Sequence, residues 1–166
     1  MTGSIKQTLK YFYMKNTKEI FLQKDLVALL RNLKEGAKGK WGVMNAQQMV
    51  EHVADSVKNA SGKLVFPFLN TGERLEKSRQ FLMSEEPFKE NVRNPLIPEE
   101  GFRLRKPNID AAINKLQKEL DYFFELFEKH PDIKTNNPFF GQLDYHMNVQ
   151  LLYKHANHHL RQFGLV

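Results

Sequence analysis

Apolar residues recur every three or four positions in four separate segments, and this spacing constrains the fold more than any other feature of the sequence. Such spacing places a continuous apolar stripe along one face of an α-helix. No segment of useful length shows the alternating pattern of a strand. The sequence therefore predicts an all-α fold, a four-helix bundle. The predicted helices cover about Thr17 to Leu33, a second segment that begins at Asn45, Asn108 to Lys129, and Asp144 to Phe163.

Capping residues and helix breakers set the ends of these segments. Asn45 is a strong N-cap, and Gln48 three positions later completes a capping box. Ser61 and Gly62 end the second helix. A long crossover, residues 63 to 107, then joins the second and third helices and holds five of the seven prolines. Because a structureless loop of this length is rare, the crossover is expected to contain short helices, the best candidate being Gly72 to Met83.

The length of 166 residues suits one domain, residues 1–166, with a sizeable apolar core. The chain has no cysteine, which excludes disulfides and thiolate metal ligands, so any metal must bind His, Asp or Glu. The first 20 residues contain no apolar run of signal-peptide length, and no stretch approaches the roughly 18 apolar residues of a membrane span. A cytoplasmic protein without a membrane partner is the simplest expectation.

The net charge is 25 − 19 = +6, which raises the question of nucleic-acid binding. The basic residues are spread along the chain among acidic ones. The densest basic stretch, Lys6 to Lys18, also contains Tyr11, Phe12 and Tyr13, and is interpreted as a solvated arm that packs its aromatic residues on the bundle. The charge pattern therefore predicts no nucleic-acid partner, with a basic nucleic-acid-binding helical protein as the alternative.

Three of the six histidines fall within five residues of the last predicted helix. His155 and His159 are four positions apart, so their imidazoles point the same way. His158 lies about 100° around the helix from His159 and does not share this geometry. A third ligand has to come from another helix, and His52 on the inward face of the second helix is the candidate.

Neutral imidazole suits Zn²⁺, Ni²⁺, Co²⁺ and Fe²⁺, with Mn²⁺ a further option. Three protein ligands leave at least one coordination position for water or substrate. A second interpretation uses no metal: a histidine pair near a helix end is often exposed and favoured by the helix dipole, and His52 alone is more often a core histidine than a ligand. The spacing by itself leaves both interpretations open.

Two strings of residues give the chain a resemblance to a known family. The first, WGVMNAQQMVEH, runs from Trp41 to His52. The second, NPFFGQL, runs from Asn137 to Leu143 and is followed by His-x-x-x-His-x-x-Gln at residues 155–162. Together they resemble a branch of unknown function within the DinB-like (YfiT-like) superfamily. The resemblance implies a bundle with the long crossover between helices two and three, and a mononuclear metal site on His52, His155 and His159 that opens to a cavity.

Characterised DinB-like proteins include transferases that use low-molecular-weight thiols such as bacillithiol or mycothiol. The resemblance therefore implies a divalent-metal-dependent thiol S-transferase, or a related hydrolase, that acts on a small molecule. Around the ligands, Gln162 is expected to hydrogen-bond a histidine, and Gln48, Asp55 and Asn45 are weaker candidates near His52. Glu51 is expected to face solvent. The alternative is a non-catalytic metal-binding or structural bundle, and a homodimer is plausible in either case.

Overall fold

The computed structural model describes residues 17–98 and 102–166, which contain five helices and one pair of strands. The first helix, α1, starts with helical residues 17–20, continues as a π-helical stretch, Phe21–Asp25, and ends as an α-helix, Leu26–Leu30. The remaining elements are α2 (Ala46–Ala60), α3 (Gly72–Met83), α4 (Ile109–Lys129), β1 (Thr135–Asn137), β2 (Gly141–Leu143) and α5 (Tyr145–Gln162).

Helix boundaries follow the capping residues of the sequence. The side chain of Asn45 accepts a hydrogen bond from the backbone of Gln48, whose own side chain accepts one from the backbone of Asn45, so the predicted capping box is present. The side chains of Asn108 and Asp144 cap α4 and α5 by each accepting a hydrogen bond from the backbone N–H three residues on, without the reciprocal bond of a capping box. The predicted short helix within the crossover is confirmed as α3. Helix α1 ends three residues earlier than the predicted Leu33.

The prediction of an all-α fold is wrong. Strands β1 and β2 pair as an antiparallel hairpin in which Thr135 lies opposite Leu143 and Asn137 opposite Gly141. About 54% of the described residues are helical, so helices still predominate. Each strand has only three residues, too few for an alternating pattern to be visible in the sequence. The hairpin lies between the third and fourth predicted helices.

The main apolar core lies between α1, α2, α4 and α5. Its largest fully buried side chains include Met49 of α2, Leu116 and Phe123 of α4, and Leu160 of α5. A smaller cluster of Leu82, Phe140 and Leu143 joins α3 and the hairpin to α5. Burial on this scale, at roughly 25 cal/mol per Å² of apolar surface, is the main force that holds the helices together.

The crossover is fastened to α5 by a buried lysine. Lys154 is 7% exposed, and its Nζ donates hydrogen bonds to the carbonyl oxygens of Phe81 (2.6 Å) and Ser84 (3.0 Å) at the end of α3. Gln150 Nε2 donates to the carbonyl oxygens of Leu82 and Ser84. Burial lowers the pKa of Lys154. The last carbonyls of a helix carry partial negative charge, so a cation at this position stabilises the docked helix end.

Most of the basic stretch Lys6 to Lys18 lies outside the described residues, which begin at Thr17. Of its members, Lys18 forms an ion pair with Glu85 at 2.8 Å and donates to Gln150. Among the helices that are described, none combines the length and apolar character needed to cross a membrane.

Candidate metal centre

The contact between α2 and α5 brings the three predicted histidines together. His52 lies in the middle of α2, directly before the buried Val53. His155 and His159 are one helical turn apart on α5, and each is next to a buried residue, Ala156 or Leu160. His159 is buried, whereas His52 and His155 are partly exposed. The apolar stripes that join the two helices thus also set the positions of the imidazole rings.

The Nε2 atoms of the three rings converge on one point. The Nε2 atom of His155 lies 3.0 Å from that of His52 and 3.0 Å from that of His159. All three ligand atoms lie within 4.8 Å of one another. Nitrogen ligands about 2.0–2.1 Å from one ion are themselves roughly 3 Å apart, so the spacing fits a shared divalent ion. A single hydrogen atom cannot satisfy both short contacts of His155, whereas a cation accepts a lone pair from all three nitrogens.

A hydrogen-bonded chain fixes the tautomer of His159. Gln162 Nε2 donates to the carbonyl oxygen of Trp41 at 2.7 Å, which turns the amide oxygen of Gln162 towards His159. That oxygen lies 2.8 Å from His159 Nδ1 and can only accept, so Nδ1 carries the hydrogen. In the neutral ring the Nε2 atom then presents a lone pair to the other two histidines. Metal-binding histidines are typically held by such a partner, and the predicted role of Gln162 has this geometry.

Two glycines make room for the Gln162 side chain. A Cβ atom on Gly42 would lie 2.8 Å from Gln162 Nε2, and one on Gly39 would lie 2.9 Å from its Cγ. Gly42 also has a φ of +77°, which favours glycine. The loop before α2 therefore approaches the end of α5 closely enough to position the amide that orients His159.

Burial keeps the three imidazoles neutral. It lowers the pKa of His52 to about 4, although Asp55 opposes the shift. It also lowers the pKa values of His155 and His159 well below the usual value, and the neighbouring histidines lower them further. Metal binding requires the neutral form of imidazole, so the environment favours the state that a metal ion needs.

Of the three weaker candidates near His52, Asn45 caps α2, and Gln48 and Asp55 contact the crossover. Gln48 Oε1 accepts a hydrogen bond from the backbone of Asn45, and Gln48 Nε2 donates to the carbonyl oxygen of Phe102. Asp55 binds Arg105 at 2.7 Å and Lys58 at 3.0 Å. Gln48 and Asp55 therefore hold neighbouring segments around His52, and the hydrogen bonds and ion pairs described for them do not involve a histidine.

The expectation that Glu51 faces solvent is wrong. Its side chain is only 4% exposed and accepts hydrogen bonds from the backbone N–H groups of Arg105 and Lys106 and from Arg105 Nε. Burial raises the pKa of Glu51, but these bonds and one from Gln47 outweigh it and lower the pKa. Glu51 and His52 are neighbours on the α2 helix, so their side chains point in different directions. The crossover then covers that face, which the helix alone does not reveal.

Aromatic side chains surround the partly exposed side of the centre. Phe102 stacks on His52 with ring centroids 5.9 Å apart. Phe88 meets His155 edge-on at 6.5 Å and His158 at 6.1 Å. His158 lies beside His159 but does not belong to the metal-ligating group, as predicted. Phe88 and Phe102 were not singled out in the sequence, because nothing local distinguishes them from the three other phenylalanines of the crossover.

Two cavities of the described residues lie away from the histidines. One, of about 560 Å³, is lined by His146 together with Phe124, Phe127 and Tyr145, and the other, of about 80 Å³, lies beside Glu51. None of the three candidate ligands lines either cavity. His146 lies at the larger of the two cavities.

No protein-family model, curated protein or solved structure matches this chain.

Proposed function

We propose that this protein is a divalent-metal-dependent enzyme that holds one ion on His52, His155 and His159 and acts on a small molecule. The proposal follows the resemblance to DinB-like proteins. The observation that supports it most is the convergence of three Nε2 atoms, two pairs of which are 3.0 Å apart. Three neutral nitrogen ligands leave coordination positions for a substrate atom.

Transfer of a low-molecular-weight thiol such as bacillithiol is the reaction that we favour. A bound divalent ion would lower the pKa of a thiol, about 8.5 when free, and the thiol proton would pass to solvent. The resulting thiolate would form a C–S bond to an electrophilic carbon as the leaving group departs with its bonding electrons. Water has a much higher free pKa than a thiol and would need a much larger shift. The two carboxylates nearest to His52 in sequence, Glu51 and Asp55, are both bound to Arg105. Neither is placed to take a proton from water, so hydrolysis is the second choice.

The residues of the chain hold and orient the ligands in this scheme. His159 keeps its Nε2 lone pair available because Gln162 accepts the hydrogen of its Nδ1. Zn²⁺, Ni²⁺, Fe²⁺, Co²⁺ and Mn²⁺ all bind imidazole, and Zn²⁺ and Ni²⁺ suit a three-nitrogen set well. Phe88 and Phe102 limit the access of water to the partly exposed side of the centre.

A non-catalytic metal-binding bundle is the alternative. An ion bound by His52 of α2 and by His155 and His159 of α5 would cross-link two helices, and such a link stabilises a fold when the ion binds only the folded state. The aromatic surroundings of the centre favour this alternative because they offer a substrate few polar contacts.

Metal content measured by inductively coupled plasma mass spectrometry on untagged protein tests the site. We expect about one divalent ion per chain in the wild type and none in a His155→Ala/His159→Ala variant. A His130→Ala/His146→Ala variant is the matched control, because it also removes two histidines but leaves the centre intact. Circular dichroism checks that both variants fold.

The loaded protein is then incubated with bacillithiol and a chromogenic aryl halide, and separately with a nitrophenyl ester. Thioether formation that requires the metal supports the transferase, and ester cleavage without thiol supports the hydrolase. Stoichiometric metal with neither reaction supports the non-catalytic alternative. Protein that takes up no metal, even after incubation with Zn²⁺ or Ni²⁺, would refute all three forms of the proposal.

A further inference from the structure

Two phenylalanine rings of the crossover flank the exposed side of the metal centre. The Phe102 ring lies nearly parallel to His52, at an interplanar angle of 17°, whereas the Phe88 ring is nearly perpendicular to His155, at 89°. Both rings and both histidines are partly exposed, while His159 is buried. A ligand that approaches the Nε2 atoms from the surface therefore meets these two rings, which we call the aromatic mouth.

Phe102 is held by polar contacts to α2. Gln48 donates a hydrogen bond to its carbonyl oxygen, and Glu51 binds the backbone N–H groups of Arg105 and Lys106. Because Gln48 and Glu51 lie on the same helix as His52 and just before it, the backbone near Phe102 and the imidazole of His52 are positioned together.

Phe88 is held from the other helix. Lys154 is the residue directly before His155, and it binds the carbonyl oxygens of Phe81 and Ser84, four residues before Phe88. The Phe81 and Phe88 rings are also in contact, with centroids 5.3 Å apart. Each ring of the aromatic mouth is thus fastened to the helix whose histidine it contacts.

We propose that the aromatic mouth selects ligands that carry a flat apolar group, such as an aromatic ring, beside the atom that binds the metal. This inference rests on the proposed metal site. Aromatic rings attract one another in stacked and edge-to-face arrangements, and each such contact strengthens binding by about two- to tenfold. Rings that are already held in place lose little conformational freedom on binding, so most of this gain is retained.

Two hydroxamates test the inference on the cobalt-loaded protein. Acetohydroxamate and benzohydroxamate share the same metal-binding group, and only benzohydroxamate carries a ring. Titration of the Co²⁺ absorption bands gives the affinity of each ligand, and their ratio measures the preference for the ring. We expect the ratio to favour benzohydroxamate in the wild type and to fall by about two- to tenfold in Phe88→Leu and in Phe102→Leu. Acetohydroxamate affinity should change by less than about twofold, because these variants leave the metal ligands in place.

Phe68→Leu is the matched control, because it removes a half-exposed phenylalanine of the same crossover. Leucine keeps most of the volume, so the variants retain an apolar side chain. An unchanged ratio in both mouth variants, or an equal fall for both ligands, would overturn the inference while leaving the metal site in place. A wild-type protein without cobalt absorption bands would instead overturn the proposed function.

Discussion

Replacement of Gln162 tests whether the centre depends on a fixed histidine tautomer. The Gln162 side chain is 3% exposed and makes two hydrogen bonds, at 2.8 Å to His159 Nδ1 and at 2.7 Å to the carbonyl oxygen of Trp41. Gln162→Ala leaves both partners without these bonds. An unsatisfied buried polar group costs about 1–3 kcal/mol, so we expect the metal-free protein to lose about 2–4 kcal/mol of unfolding free energy.

Metal affinity should fall as well, because the free His159 ring can then place its hydrogen on Nε2. Loss of such an outer partner typically weakens metal binding by about 10- to 100-fold, which equals about 1.4–2.7 kcal/mol. Competition with a chromophoric chelator measures the affinity, and urea unfolding measures the stability. Gln142→Ala is the control, since Gln142 is exposed on β2.

A second variant separates the two roles of the amide. Gln162→Glu keeps an oxygen that accepts from His159 Nδ1 but loses the donor to Trp41. We expect its metal affinity to stay within about threefold of the wild type or to rise, because a carboxylate partner makes the imidazole a stronger ligand. Its stability should still fall. If Gln162→Ala binds metal as tightly as the wild type, or if both variants lose affinity equally, the tautomer argument is wrong.

Three further predictions concern residues outside the ligand set. Gly42→Ala places a Cβ 2.8 Å from Gln162 Nε2 at a φ of +77°, so we expect metal affinity to fall about tenfold in the same chelator competition, although no histidine changes. Glu51→Gln removes the buried carboxylate that binds two backbone N–H groups of the crossover, and urea unfolding should show a loss of about 2–4 kcal/mol. Glu119 is only 2% exposed. Burial raises its pKa, but hydrogen bonds from its two lysine partners outweigh the effect of burial and lower the pKa below its usual value. Its ionised form therefore stabilises the fold above the unfolded-state pKa, and this contribution is lost as the pH falls through the folded-state value. The stability difference between wild type and Glu119→Gln should accordingly be largest at neutral pH and shrink in acid.

The β1–β2 hairpin is the part of the fold that could not be predicted from the sequence. Helices α2, α4 and α5 were predicted to within a residue or two, because each has a long apolar stripe and a capping side chain. Strands β1 and β2 are held by pairing with each other and by contacts such as Thr135 Oγ1 to the carbonyl oxygen of Ala60. The strands are too short to show an alternating pattern, and Ala60 is distant along the chain, so no local sequence pattern predicts the hairpin.

The candidate site also combines residues whose roles the sequence predicts with residues whose roles only the tertiary structure shows. Spacing on one helix predicted that His155 and His159 share a face, and the inward stripe of α2 suggested His52. The identity of the outer partner, Gln162, followed from its position one turn beyond His159. The roles of Glu51 and Phe102 could not be predicted, because both depend on where the proline-rich crossover returns to α2.

By itself the sequence determined the local features: helix limits, the caps, and which histidines share a face. These depend on periodicity and on hydrogen bonds between residues at most a few positions apart. The tertiary structure alone decided that His52 Nε2 lies 3.0 Å from His155 Nε2 across 103 residues of chain, and that a glutamate turned away from the centre is buried under the crossover. Such contacts are set by how whole elements pack, since a pair of atoms this far apart in sequence meets only when the apolar core brings their helices together.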